Sequence, residues 1–165
     1  MHWYLIHTKP RQEQIALENL ERQGYQCYLP RLPAEKLHKG LLTIANKPLF
    51  PRYLFIRLGL DFASKSWAPI RSTLGVSTLV RFGAEPARVA DELIHNLRTN
   101  EAKLQAAPEQ LFKPGERVRL TDSPFAGIEG IYQMAEGERR AMVLIEILSK
   151  PMKVPVAPAS LRGAH

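Results

Sequence analysis

Only one cysteine, Cys27, occurs in 165 residues, which excludes an internal disulfide and a four-thiolate zinc site and suits a reducing compartment. The longest uninterrupted apolar run, Ala141 to Ile145, falls far short of the ~20 residues that a membrane-spanning helix needs. The amino terminus has no charged segment followed by an apolar signal core, so the expected location is the cytoplasm, without membrane association. The five histidines, His2, His7, His38, His95 and His165, are scattered, with no pair at helical ligand spacing and no HExxH arrangement, so no metal site is expected. No glycine-rich phosphate loop or Walker motif follows any strand. A thiol nucleophile would require Cys27 to meet His7 or His38 across neighbouring strands. The plainer reading of Cys27 is a small apolar side chain within a strand. Nothing in the sequence points to catalysis or to a cofactor.

What is present is a foldable composition with an uneven charge. Hydrophobic residues make up 45% and charged residues 24%, which is too apolar for a disordered chain. The net charge is +7. Residues 1–104 hold 15 basic against 9 acidic side chains, and residues 105–165 hold 8 against 7. A basic unit followed by a nearly neutral one suggests that the first meets a polyanion, although a basic surface that merely keeps the protein soluble gives the same count.

The order of patterns gives an α+β unit. Trp3 to Thr8 is a short apolar strand, followed by a helix with Pro10 in its first turn, Ile15, Ala16, Leu17 and Leu20 as its stripe, and Gly24 as its stop. Tyr25 to Leu29 resumes strand character, and Arg31 to Lys47, with Gly40 near its centre, is expected to project as a hairpin or loop. Tyr53 to Leu58 is a strand, Asp61 to Thr73 a short helix broken at Pro69, and Val76 to Phe82 a strand ending at Gly83. A further helix is capped by Asp91, with Val89 as staple and Leu93, Ile94, Leu97 and Leu104 as its apolar face. These elements predict an antiparallel or mixed sheet covered by helices over residues 1–104. Residues 105–114 read as a linker. Over 115–165, short segments at Arg117 to Leu120, Ile128 to Met134, Arg140 to Leu148 and Met152 to Val156 suggest a small barrel. The run Glu136 to Lys150 mixes helix formers with Val143, Ile145 and Ile147, and periodicity leaves helix and strand both open there.

Two clusters are candidates for binding. Lys9, Arg11 and Gln12 lie where the first strand enters the first helix, with Arg22 further along, a place where side chains and free N–H groups meet phosphate; an ordinary solvated helix surface is the alternative. The second is aromatic: Phe50, Tyr53, Phe55 and Phe82. On a strand Tyr53 and Phe55 share one face, opposite Leu54 and Ile56; such aromatics are core, or a docking patch where no helix covers them.

Four strings, WYLIHTKPRQEQIALENLERQG (3–24), PLFPRYLF (48–55), STLGVSTLVRFG (72–83) and PGERVRLTDSPFAGIEGIY (114–132), resemble in order and spacing the NusG family of transcription elongation factors. The RFG ending at Gly83, Pro86 after it and the short length are most similar to the RfaH-type antitermination branch. The resemblance implies a NusG-like amino-terminal domain that binds the clamp helices of RNA polymerase and nontemplate-strand DNA, suppressing pausing and termination. It implies a polymerase-facing depression of Tyr53, Phe55, Phe82, Ile94 and Leu97, and a DNA-facing side of Lys9, Gln12, Asn19, Arg22 and Thr73. It further implies a carboxy-terminal KOW element carried by Val118, Leu120, Phe125, Gly127 and Gly130. That domain is expected as an SH3-like barrel that meets a small-subunit ribosomal protein or, in a closed state, as a helical hairpin over the polymerase site. The protein is expected to act as a monomer without catalysis, cofactor or metal. Alternatives are a general NusG-like factor with a permanent barrel, or a ribosome- or RNA-binding KOW protein.

Three places depart from the branch. Lys47 stands where a glutamate pairs with the basic residue corresponding to Arg139 or Arg140, so that latch is not expected to form; Leu74 replaces a DNA-facing arginine; and Ser66, Trp67 and Ala68 replace the His-Thr-Thr of a second polymerase contact.

Overall fold

The computed structural model describes residues 2–59, 68–106 and 126–149. At its centre is β1 (His2–Thr8), short enough and apolar enough to be buried on both faces. It pairs antiparallel along one edge with β5 (Tyr53–Leu58) and along the other with β6 (Val76–Leu79) and β9 (Arg88–Val89). β2 (Gln26–Tyr28) completes the sheet outside β5, giving the order β2-β5-β1-β6. Every pairing is antiparallel, so the protein is mixed α/β with an antiparallel sheet.

The alternation of β1 and β5 sends two sets of side chains to opposite faces. Ile6, Leu54, Ile56 and Leu58 meet Ala16 and Leu20 of α1 (Glu13–Arg22) and Ile70 of α2 (Ala68–Arg71). Trp3, Leu5 and Phe55 face the other way, onto Leu93, Ile94, Leu97 and Leu104 of α3 (Asp91–Ala106). α1 ends where the N–H of Tyr25 bonds Leu20 O at 3.2 Å around Gly24, whose φ of 94° only glycine adopts freely. Ala90, not Asp91, is the residue whose carbonyl opens α3; Asp91 lies in the first turn, where its charge favours the helix dipole. Pro69 is the second residue of α2 as described, where a missing N–H costs nothing; the part of the expected helix before Ala68 lies outside the described residues. The expected strand to Phe82 is interrupted at Val80, whose N–H still bonds Leu5 O, and β7 (Arg81–Phe82) leaves the sheet to pair with β8 (Glu85–Pro86).

Arg31 to Lys47 does project, as β3 (Arg31–His38) and β4 (Leu41–Pro48) in perfect antiparallel register. Of the two alternatives open for this region, barrel strands or a helical hairpin, Ile128 to Met134 and Arg140 to Leu148 take the helical one, within α4 (Ala126–Gln133) and α5 (Gly137–Ser149). Ala141, Leu144, Ile145 and Leu148 recur at 0, 3, 4 and 7 and all pack on the Phe55 face, so helix wins because it lays one stripe on an apolar sheet that a strand could not cover. Gly127 and Gly130, expected to open a barrel, therefore lie within α4. Val118, Leu120 and Phe125, the linker residues beyond Ala106, Arg117 to Leu120, Met152 to Val156, and Ser66 and Trp67 lie outside the described residues.

One glycine fixes the join between the α2–β6 turn and α1. A Cβ on Gly75 would come within 2.8 Å of the backbone N of Ala16, and φ there is 91°. Gly75→Ala is expected to cost about 2 kcal/mol or more, because the obstacle is helix backbone and the conformation is unfavourable to L residues. A urea midpoint equal to that of the native protein would contradict this.

Candidate functional site

The apolar face of the sheet carries most of the polymerase-site residues expected from the sequence. Phe55, Ile94 and Leu97 are wholly or almost wholly buried in one cluster, with half-buried Tyr53 packed against it. Phe82 stands apart on the β7–β8 ribbon. Phe50, 1% exposed, meets Phe55 edge-on with centroids 6.3 Å apart.

The loop before β5 sets the rim of this face. Arg52 adopts φ 73°, and the strain is held by three bonds: its N–H donates to Glu13 Oε2 at 2.9 Å, its Nε to Thr8 O at 3.2 Å, and its carbonyl accepts from Thr8 N at 2.8 Å. This brings Tyr53 beside His7, with ring centroids 5.0 Å apart. Burial, and then the Arg52 charge, lower the pKa of His7, so the neutral ring is the one that faces Tyr53.

The face is not open. Ile131 and Tyr132 of α4 and Ala141 and Leu144 of α5 are buried against it, and the Tyr132 hydroxyl donates to Leu97 O at 3.4 Å. Arg140 reinforces the cover: its Nε donates to Leu49 O at 2.7 Å and its Nη1 to Met134 O at 2.7 Å. Arg140 is 6% exposed, and burial lowers its pKa. It therefore holds the hairpin to the PLFPRYLF segment through the carbonyl of Leu49 and braces the turn of the hairpin through that of Met134, and Lys47, exposed on β4, has no part in these two bonds. Gly137 lies so close to Pro51 that a Cβ would approach Pro51 Cγ at 2.6 Å. Beside this contact is an open cleft of about 950 Å³, with His7, Arg11, Arg52 and Tyr53 on one wall and Glu138 and Glu146 of α5 among those on the other.

The expected DNA-facing residues form a polar surface on α1 and the turn before β6. Lys9 and Arg22 are exposed, and Gln12 and Asn19 half-buried. Arg22 Nη1 donates to Asn19 Oδ1 at 3.4 Å, and Asn19 Nδ2 to Ile15 O at 2.8 Å. Lys9 N donates to Gly75 O at 2.9 Å, which ties the strand–helix junction to the same turn. Thr73 departs from expectation: it is 6% exposed, its hydroxyl donating to Pro69 O at 2.8 Å and accepting from Gln23 Nε2 at 2.7 Å. It supports the surface, and Gln23, which sequence reasoning passed over, joins it to α1. Leu74 is 65% exposed next to it.

The thiol reading fails on geometry and chemistry. Cys27 pairs with Ile56 on the far side of β5 from β1, which carries His7, and burial, helped by Glu21, pushes its pKa up to about 12. Among the described residues there is no cluster of His, Cys, Asp or Glu able to hold a metal, and no helix long and apolar enough to cross a membrane.

The sheet order, the covered apolar face and the polar α1 surface belong to residues that one family model also matches: that described as "Transcription termination factor nusG" matches residues 1–98. The chain belongs to the NusG family of transcription termination and antitermination factors. It is similar to the transcription termination/antitermination protein NusG of Thermus thermophilus, 29% identical over 170 residues and 92% of each chain. It is also similar to the protein of that name from Escherichia coli O6:H1, 26% identical over 146 residues, covering 86% of this chain and 80% of the relative. A solved structure, "Domain interaction in Thermotoga maritima NusG", aligns with 73% of this chain and 68% of its own at TM-score 0.43 and 19% identity.

Proposed function

We propose that this chain is an RfaH-type member of the family: an antitermination factor whose carboxy-terminal part covers its own polymerase site. The observation that carries the reading is the pair α4–α5 lying over Phe55, Ile94 and Leu97, the residues that the family resemblance assigns to the polymerase clamp helices. A cover made of helices supports the RfaH-type branch over a factor with a permanent barrel. In this account residues 1–106, to the end of α3 and two residues beyond the boundary expected from the sequence, are the polymerase- and DNA-binding domain, the linker runs on to 114, and 115–165 is a KOW-type domain. Once the cover is displaced by the transcription complex, Tyr53, Phe55, Ile94 and Leu97 bind polymerase, and Phe82 joins from the neighbouring ribbon. The released segment then refolds as a barrel, through Val118, Leu120, Phe125, Gly127 and Gly130, and meets a small-subunit ribosomal protein. The mixed propensity of residues 136–150 is what such a bistable element requires.

Lys9, Gln12, Asn19 and Arg22 would hold the nontemplate strand, with Thr73 positioning Gln23 from below. Lys9→Ala and Arg22→Ala, each in the full chain, are expected to weaken retention on a paused elongation complex and to lower the slope of log affinity against log salt by about one per lost phosphate contact. An unchanged slope in both would remove this surface from the DNA site.

A further inference from the structure

The cleft of about 950 Å³ between α5 and the rim of the sheet has two unlike ends. α5 forms one wall from Glu138 to Ser149, about 16 Å of helix axis. Glu138 follows Gly137, which abuts Pro51, so it lies at the Pro51 end; Glu146 is about 12 Å further along. On the facing wall, Arg11 also borders a second recess with Arg31 and Pro48, whereas His7 and Tyr53 border a third with Arg71 and Thr78. That wall therefore runs from Arg11 and Arg52, beside Pro51, to the His7–Tyr53 ring pair at the other end. Glu13 lines it too, but it is buried and its Oε2 already accepts from Arg52 N. Opposite the rings, α5 offers half-buried Ile145 and Met142, which is 70% exposed.

An open cleft of this size, apolar with a few convergent polar groups and set where two units meet, is the usual seat of a small ligand. Its layout selects the chemistry. The two guanidinium groups call for an acid, and phosphate matches their fork best. The ring pair, faced by Met142 and Ile145, calls for a flat aromatic body. Glu146 then decides which one, because an ionised carboxylate only accepts hydrogen bonds. Guanine sets two donors, N1–H and the N2 amino group, side by side on its pairing edge. Adenine and cytosine set a donor beside an acceptor there, and uracil flanks its donor with two carbonyls. We infer that the cleft is a site for a free guanine nucleotide, with the base between the His7–Tyr53 pair and Met142 and Ile145, its donors on Glu146 and its phosphates on Arg11 and Arg52. Glu138, at the phosphate end, repels the ligand and limits its affinity. Because α5 is one wall, the nucleotide binds the closed form alone and holds the cover shut. Its effect on polymerase rests on the masking reading given above; the site does not.

The test is calorimetric titration of the full-length protein with GDP. One site per chain is expected, with a Kd of about 100 μM or tighter, and ADP and guanosine each weaker by about ten-fold. Glu146→Gln should bring GDP and ADP within about two-fold of one another, since an amide offers donor and acceptor alike. Arg11→Gln should weaken GDP by about five-fold. Glu138→Gln should tighten it by about two-fold. All three side chains are exposed, so the circular dichroism spectrum should not change. An opened Leu144→Asp, which removes the α5 wall, should not bind GDP. No binding by the native protein, equal binding of GDP and ADP, full preference for GDP in Glu146→Gln, or undiminished binding by the opened variant would each overturn the inference. So would a guanine-containing RNA oligomer that binds more tightly than GDP and displaces it, which would make nucleic acid the occupant. GDP at 100 times its Kd should lower polymerase affinity by up to about a hundred-fold. GDP binding that leaves polymerase affinity unchanged would uphold the site and count against the masking reading instead.

Discussion

Leu144→Asp is expected to release α4 and α5 from the sheet. Leu144 is fully buried at the centre of the α5 stripe, among the cluster that holds Phe55, Ile94 and Leu97. The substitution removes a large apolar side chain from a packed site and puts a carboxylate there without a partner. Cavity and desolvation together cost about 4 kcal/mol, roughly a thousand-fold in the closed-to-open ratio. The second core, built from Ile6, Leu20, Leu54 and Ile56, lies on the opposite face of the sheet and is untouched. Far-ultraviolet circular dichroism should therefore lose the helical signal of α4 and α5 while the sheet persists, and a dye that reports apolar surface should bind. An unchanged spectrum and no dye binding would mean that Leu144 does not hold the cover.

Arg140→Ala is the second large effect, and its physics differs. The side chain donates to Leu49 O and Met134 O, and its loss leaves both carbonyls without that charged donor in a buried place. A buried hydrogen-bonding group left without its partner costs 1–3 kcal/mol, and only Leu49 O lies across the contact, Met134 standing between α4 and α5, so about 2 kcal/mol is expected, or roughly thirty-fold toward the open form. Arg140→Lys should recover only part of it, because an ammonium cannot reproduce the planar fork. Since Arg140's two bonds go to carbonyls and not to a carboxylate, raising salt from 50 to 500 mM should leave the closed population nearly unchanged, whereas an exposed ion pair would be screened. A cover that opens with salt, or an alanine variant as closed as the native protein by hydrogen exchange of α5, would contradict this role.

The site was legible in the sequence wherever local periodicity decides the outcome. The alternation of Tyr53 and Phe55 against Leu54 and Ile56 gave the two faces of β5, and Gly40 gave the turn of the β3–β4 ribbon. It was not legible where a distant surface decides. Residues 137–149 carry helix and strand propensity together, and the outcome follows from Phe55, Ile94 and Leu97, 40 residues or more upstream, which a helical stripe covers better than a strand. The latch was hidden for a related reason. Pairing charges by sequence sets Lys47 against Arg140 and finds repulsion, but a guanidinium also bonds backbone carbonyls, and Leu49 O carries no label in the sequence. Thr73 shows the same limit at the polar surface, where Gln23, fifty residues away in sequence, occupies the hydroxyl that would otherwise face outward. The full burial of Phe55 also means that a charge placed there would unfold the sheet and not simply abolish docking, so half-buried Tyr53 is the better probe of the face.

The central claim is that α4 and α5 mask the surface that polymerase binds. The most direct measurement is the affinity of the full-length protein and of Leu144→Asp for RNA polymerase, side by side in a single buffer without nucleic acid. Masking predicts tighter binding by the variant, by up to the factor that its circular dichroism shows the cover to have opened, and loss of that gain when Tyr53→Ala is added. Equal or weaker binding by an opened Leu144→Asp would contradict it.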